Sequence, residues 1–123
     1  MANKESEGFP RQFRVVKTAE YRKLYREGRK THSERFVLFS RENGLGHNRI
    51  GITVSKKVGG AVVRNRIKRL FREVFRRSRG QIPSQVDIVV NAKAACVGVS
   101  YVELRAEFLA AAQKICRWSS SGR

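Results

Sequence analysis

The sequence predicts an α+β fold, a two-layer α/β sandwich whose elements run α-β-β-α-β-α within a single domain, residues 1–123. Three observations predict it. In "RIGITVSK" (49–56), Ile50, Ile52 and Val54 alternate with Gly51, Thr53 and Ser55, the period-two pattern of a strand with one apolar face. Residues 63–77 carry apolar side chains at helical spacing. Ser100 and Glu103 form an S-x-x-E capping box ahead of a further helical pattern.

The elements follow in chain order. Residues 1–16 are polar with scattered apolar positions, and Pro10 interrupts any helix there, so they read as an extended arm. Thr18 can cap a short helix over about 18–28, with Tyr21, Leu24 and Tyr25 at helical spacing and Gly28 as its stop. "RFVLFSRE" (35–42) is a strand and "NGLGH" (43–47) a turn leading into the strand at 49–56. Gly59 and Gly60 break the extended pattern, and a helix follows over about 61–77, ended by Gly80 and Pro83. "QVDIVVNAK" (85–93) reads as a short buried strand. The capping box opens the last helix, about 101–117, with Val102, Phe108, Leu109, Ala112 and Ile115 on its apolar face and a frayed tail at 118–123.

A net charge of +17 and a pI near 11.2 are extreme for 123 residues. Repulsion on that scale disfavours the compact state unless a polyanion relieves it, so nucleic acid is the leading partner and an anionic membrane surface the second. No apolar run is long enough to span a bilayer, and the N-terminus has no stretch of signal-peptide type. Cys96 and Cys116 are far apart and match no metal spacing. A bridge between them is open in principle, and reduced thiols in a cytoplasmic chain are the favoured reading. His32 and His47 are too few for a zinc site and read as surface or loop residues. There is no Ser/His/Asp arrangement, no P-loop and no pair of carboxylates in a shared apolar setting, so no catalytic constellation is expected on the protein itself.

The charge is concentrated. Residues 56–79 hold ten basic side chains and one acid, a net +9 of the chain's +17. On a helical wheel Val63, Ile67, Leu70, Phe71, Val74 and Phe75 fall within one arc of roughly 140°. Arginines, Lys68 and Asn65 fill the rest, interrupted by Glu73 alone. A helix built only for stability would mix signs to gain i,i+4 pairs. This one segregates grease from charge, packing one face and presenting Arg-rich donors suited to phosphates on the other. Lys56, Lys57 and Arg79 extend the patch.

"RIGITVSKKVGGAVVRNRIKRLFRE" (49–73) closely resembles the signature of the bacterial ribonuclease P protein subunit, with Arg64-Asn65-Arg66 followed by Lys68, Arg69 and Arg72. An isolated R-N-R would be weak, but its 25-residue context is specific. The likeness covers about residues 15–118. It implies a ribonucleoprotein that removes the 5′ leader of precursor tRNA, with catalysis and most Mg²⁺ binding on the RNA subunit. It implies a left-handed β-α-β crossover, against the general rule. The protein is expected to be monomeric, one per RNA, and not membrane-bound.

Carried over by position, Arg64, Asn65, Arg66, Lys68, Arg69 and Arg72 resemble the surface that faces the catalytic RNA. Tyr21, Tyr25 and Phe39, with Ser55, Lys56 and Lys57 nearby, resemble the cleft that holds the single-stranded leader. Aromatic faces in a basic groove bind single strands with little sequence preference. Spacing alone favours core packing for Tyr21 and Tyr25, and leaves Phe39 evenly divided between core and cleft; the resemblance moves the tyrosines to the cleft. Two positions depart from the pattern: Gly60 stands where Asn is common, which weakens the helix cap, and Tyr21 and Tyr25 stand where Phe is frequent. The rival class is a non-catalytic RNA-scaffold protein of ribosomal type, with a DNA-binding helix-turn-helix protein third.

Overall fold

A computed structural model describes residues 11–83 and 85–121, with side chains described as far as Ile115. The observed order is α1 (Thr18–Glu27), β1 (Arg29–His32), β2 (Phe36–Glu42), β3 (Arg49–Val54), α2 (Ala61–Ser78), β4 (Val86–Ala92) and α3 (Tyr101–Ser121). The α+β class holds, and one strand is added to the expected order. That strand, β1, reads "RKTH" and has no apolar alternation, because it is an edge strand with Thr31 as its one buried side chain. Charged edges of this kind protect a sheet from pairing with other chains.

The four strands lie in the order β1-β2-β4-β3. β1 runs antiparallel to β2, β2 antiparallel to β4, and β3 parallel to β4. The parallel pair needs a crossover, and α2 supplies it. Strand ends fall where pairing ends, from Phe36↔Ala92 to Glu42↔Val86 and from Arg49↔Asp87 to Val54↔Ala92. The expected strands at 35–42, 49–56 and 85–93 are trimmed accordingly.

One sheet face carries the main core. Phe36 from β2, Phe71 from α2 and Phe108 from α3 meet with ring centroids 5.5–6.4 Å apart. Ile67, Val74 and Phe75 of α2 pack beside them, with Val63 and Leu70 half-buried at the rim, so the apolar arc of the wheel is the packed one. On α3 the buried face is Leu104, Phe108, Ala111, Ala112 and Ile115, whereas Val102 is 74% exposed. The expected face was set one position wrong at its start. Half-buried Tyr101 leads it, with Arg77 over its ring at 5.5 Å. The capping box forms as expected: Glu103 N–H donates to Ser100 Oγ (3.1 Å) and Ser100 N–H to Glu103 Oε1 (3.2 Å). The helix runs on to Ser121, beyond the expected start of the tail.

The opposite face carries α1 over a smaller core of Val15, Leu24, Phe39 and Val89. Thr18 is not the cap: Lys17 holds that position, with no side-chain cap bond, and Thr18 is the first helical residue. Gly28 ends the helix with an ordinary φ of −78°. What demands glycine there is proximity, since a Cβ would lie 2.5 Å from the Leu24 carbonyl oxygen and 2.9 Å from that of Ser40. The part of the arm from Arg11 onward is docked rather than free. Arg11–Phe13 form a 3-10 turn, Val15 is buried and its N–H donates to the Ile50 carbonyl at 3.0 Å. Residues 1–10 lie outside the described part.

The β1–β2 turn is tied to α3 by a carboxylate. Glu107 accepts from the Ser33 hydroxyl, the Arg35 N–H (2.8 Å) and the Arg35 guanidinium (3.0 Å). Burial alone would raise its pKa, but these donors outweigh burial and hold it below the ordinary 4.5. A carboxylate with a depressed folded pKa gives stability that is present above its unfolded pKa and lost as pH falls through the folded one. Glu107→Gln should therefore unfold with a shallower acid dependence than the native protein below about pH 4.5. Urea midpoints measured across pH 3–6 (roughly the carboxylate range) check this, and identical slopes would contradict it.

Candidate nucleic-acid interface

The sheet face under α1 carries a cluster of aromatic rings. Tyr25 is 40% exposed and stands edge-on to Phe39, ring centroids 4.9 Å apart. Phe39 is only 8% exposed and forms the floor. The Tyr25 hydroxyl donates to Asn91 Oδ1 at 2.9 Å, which fixes the ring against the sheet. Tyr21 packs against Tyr25 at 6.5 Å and is half-buried. Its phenol lies on Gly51, where a Cβ would come within 2.4 Å of the hydroxyl oxygen. Gly51 is therefore the residue that lets α1 sit this close to β3. Burial raises the Tyr21 pKa above its ordinary 10.0, Tyr25 adds to this, and Arg72 pulls it down.

The structure brings Tyr21, Tyr25 and Phe39 together as the sequence led us to expect, with unequal roles. Tyr25 offers an open ring, Tyr21 mainly wedges α1 against β3, and Phe39 is mostly covered. Ser55, Lys56 and Lys57 are exposed in the turn after β3, where the Val58 N–H closes onto the Ser55 carbonyl at 3.0 Å. Two groove residues escaped the sequence reading. Asn91 sits in a β-branched run that reads as core, and its only hint is the hydroxyl of Tyr25. Lys30 lies on the unrecognised strand β1 and places its ammonium 5.6 Å from the Phe39 centroid.

α1 is anchored by a charge network. Arg49 makes two hydrogen bonds to Asp87 (2.8 and 2.6 Å) and one to Glu20 of α1 (3.2 Å). Asn43 adds a donor to Asp87 at 2.8 Å. The Asp87 hydrogen bonds push the Arg49 pKa up, so its charge is permanent.

On α2 the polar face is less uniform than the wheel suggests. Asn65, Arg66 and Arg69 are exposed and, with Val62, Leu70 and Glu73, line one shallow open groove. Lys68 and Arg72 are half-exposed. Arg64 is partly drawn inward, its Nε donating to the Gly59 carbonyl at 3.0 Å. That contact stands at a helix start whose cap, Gly60, has no side-chain bond to give. Glu73 gathers Arg76 (2.6 Å) and Arg77 (2.7 Å), and the Arg76 hydrogen bond foremost holds its pKa below the usual carboxylate range. Arg79 does not extend the patch: it lies over the Phe13 ring at 3.6 Å and donates to Asn48 at 3.2 Å. The last arginines of the helix, Arg76 and Arg77, are thus bound within the protein by Glu73.

Cys96 is a buried free thiol whose pKa is pushed up to about 11 by burial, which leaves it unreactive. Among the described residues no helix is long and apolar enough to cross a membrane.

An α+β protein with an aromatic cluster on one sheet face and an arginine-rich helix packed on the other has the surfaces of an RNA-binding protein. The chain matches the family described as Ribonuclease P over residues 9–116. A ribonuclease P protein component from Desulfovibrio desulfuricans is 41% identical over 113 residues, covering 88% of this chain and 86% of the relative. The solved ribonuclease P protein from Thermotoga maritima superposes with a TM-score of 0.77 at 33% identity, covering 82% of this chain and 96% of that one. The Staphylococcus aureus ribonuclease P protein gives 0.74 at 33% identity, covering 85% and 94%. The chain belongs to the ribonuclease P protein family, the protein subunits of the ribonucleoprotein endoribonuclease that matures the 5′ end of tRNA.

Proposed function

We propose that the chain serves ribonuclease P through two RNA-facing surfaces that adjoin at Arg72. Arg64, Asn65, Arg66, Lys68, Arg69 and Arg72 address the catalytic RNA subunit. Tyr21, Tyr25 and Phe39, flanked by Ser55, Lys56 and Lys57, hold the single-stranded leader of precursor tRNA. The observation that carries this reading is Tyr25, an exposed ring held edge-on to Phe39 beneath α1, in a chain of net charge +17. A ring held open to solvent offers its face to a base, and every base has a face to stack, so such a groove tolerates many leaders.

The proposed complex is one protein with one RNA, working in the cytoplasm, and the left-handed course of the crossover belongs to the same reading. Catalysis lies with the RNA, which generally needs Mg²⁺. The donors on this chain do not fit a resident Mg²⁺ site: no group of three or more His, Cys, Asp or Glu could hold a metal among the described residues. Glu20, Asp87 and Glu107 are each turned onto arginines. The protein's part is to fix the leader and the RNA subunit in place, which favours metal binding at the RNA.

Reconstitution tests this. The purified protein mixed with a bacterial ribonuclease P RNA should stimulate 5′ cleavage of precursor tRNA at low Mg²⁺; no stimulation would overturn it. Arg66→Ala should weaken binding to that RNA and lower the salt slope by about 0.7–0.9 log units, the share of one phosphate. Unchanged binding would make the α2 face a merely solvated one.

A further inference from the structure

We infer that Lys30 forms a phosphate subsite at the outer edge of the groove, taking the leader's sugar–phosphate backbone as the strand passes from Phe39 across β1. The inference rests on the leader reading above and extends it to a strand the sequence did not reveal. Lys30 is the direct partner of Phe39 in the β1–β2 register, so both side chains leave the sheet on the α1 face. Its ammonium sits over the Phe39 ring at 5.6 Å. That contact lays the aliphatic stem along the groove wall while the charged end stays in water.

The charge is available. Glu27, the acid closest to it along the chain, is committed to Arg41 at 3.2 Å and Arg26 at 3.6 Å. Among the described residues the Lys30 ammonium meets the Phe39 ring and no carboxylate. The strand beneath it is also held firmly. Glu107 clamps the turn through Ser33 and Arg35, and Lys93 Nζ donates to the Ser33 carbonyl at 2.7 Å. When a base stacks on an aromatic side chain its phosphates lie to the side of the ring, in reach of a cation on the neighbouring strand. Neighbouring strands are about 4.8 Å apart, so Lys30 stands one strand spacing beyond the floor.

The test uses the reconstituted holoenzyme and a series of precursor tRNAs whose leaders lengthen one nucleotide at a time. Lys30→Ala should bind leaderless tRNA as the native protein does, then fall behind by about two- to fivefold once the leader is long enough to cross β1. Beyond that length its salt slope should be smaller by about 0.7 log units, one single-strand phosphate. Lys30→Arg should keep the native behaviour. Equal weakening on leaderless tRNA, or no weakening at any length, would overturn the subsite. If the native holoenzyme itself shows no preference for leader-bearing substrate, the groove reading falls too. If that preference stands while Lys30→Ala is flat, only the subsite falls.

Discussion

Replacing Asp87 with alanine is expected to cost about 3 kcal/mol of folding stability, the lower end of the range for breaking a buried ion pair. Asp87 is 7% exposed and accepts from Arg49 twice and from Asn43 once. Truncation leaves the Arg49 guanidinium, whose side chain is 16% exposed, with Glu20 alone at 3.2 Å. An uncompensated, mostly buried cation is the costly product, not the loss of attraction as such. Residual exposure and Glu20 keep the loss from the top of the range. The urea midpoint should fall with little change in slope. A loss under about 1 kcal/mol would mean that the pair behaves like an exposed one. Asp87→Asn keeps the shape and two acceptor lone pairs, so it should lose less. Because Glu20 lies one residue before Tyr21, a loosened Arg49 also loosens the seat of α1, and leader binding should weaken with stability.

The α2 pattern was legible because its signal is local: apolar and basic residues separate on a 3.6-residue period within one segment, and Ile67, Phe71, Val74 and Phe75 are buried as the wheel requires. The capping box at Ser100 was legible for the same reason. Features built from distant residues were not. Glu20, Arg49 and Asp87 are ordinary charges in sequence and meet only because α1, β3 and β4 are neighbours. Gly51 reads as the polar-side partner in an alternating strand. Its purpose, admitting the Tyr21 ring, exists only across two elements. β1 was missed because an edge strand needs no apolar stripe, and with it went Lys30. At the candidate site, residue identities came from the resemblance, while their unequal exposure came from packing.

The basic helix also changes meaning once its partners are known. Glu73 draws in Arg76 and Arg77, and Phe13 with Asn48 draws in Arg79. These contacts neutralise or occupy the end of α2 that lies against α3. On the earlier turns Asn65, Arg66 and Arg69 remain exposed.

Tyr25→Ala is expected to weaken binding of leader-bearing precursor by about 1–3 kcal/mol, roughly 5- to 150-fold, while leaving leaderless tRNA unaffected. The structure favours Tyr25 over Tyr21 as the stacking ring. Tyr25 is exposed and touches the sheet through its edge contact with Phe39 and one hydrogen bond to Asn91. Little stability should therefore depend on it. Tyr21 is half-buried against Gly51, so Tyr21→Ala should cost stability as well as binding, and the two losses would be hard to separate. Tyr25→Phe keeps the ring and drops only the bond to Asn91, so it should bind within a few-fold of the native protein. The measurement is the ratio of dissociation constants for leader-bearing and leaderless tRNA in the reconstituted holoenzyme, beside a urea midpoint for each variant. A Tyr25→Ala protein with native stability and an unchanged ratio would show that no base stacks on this ring.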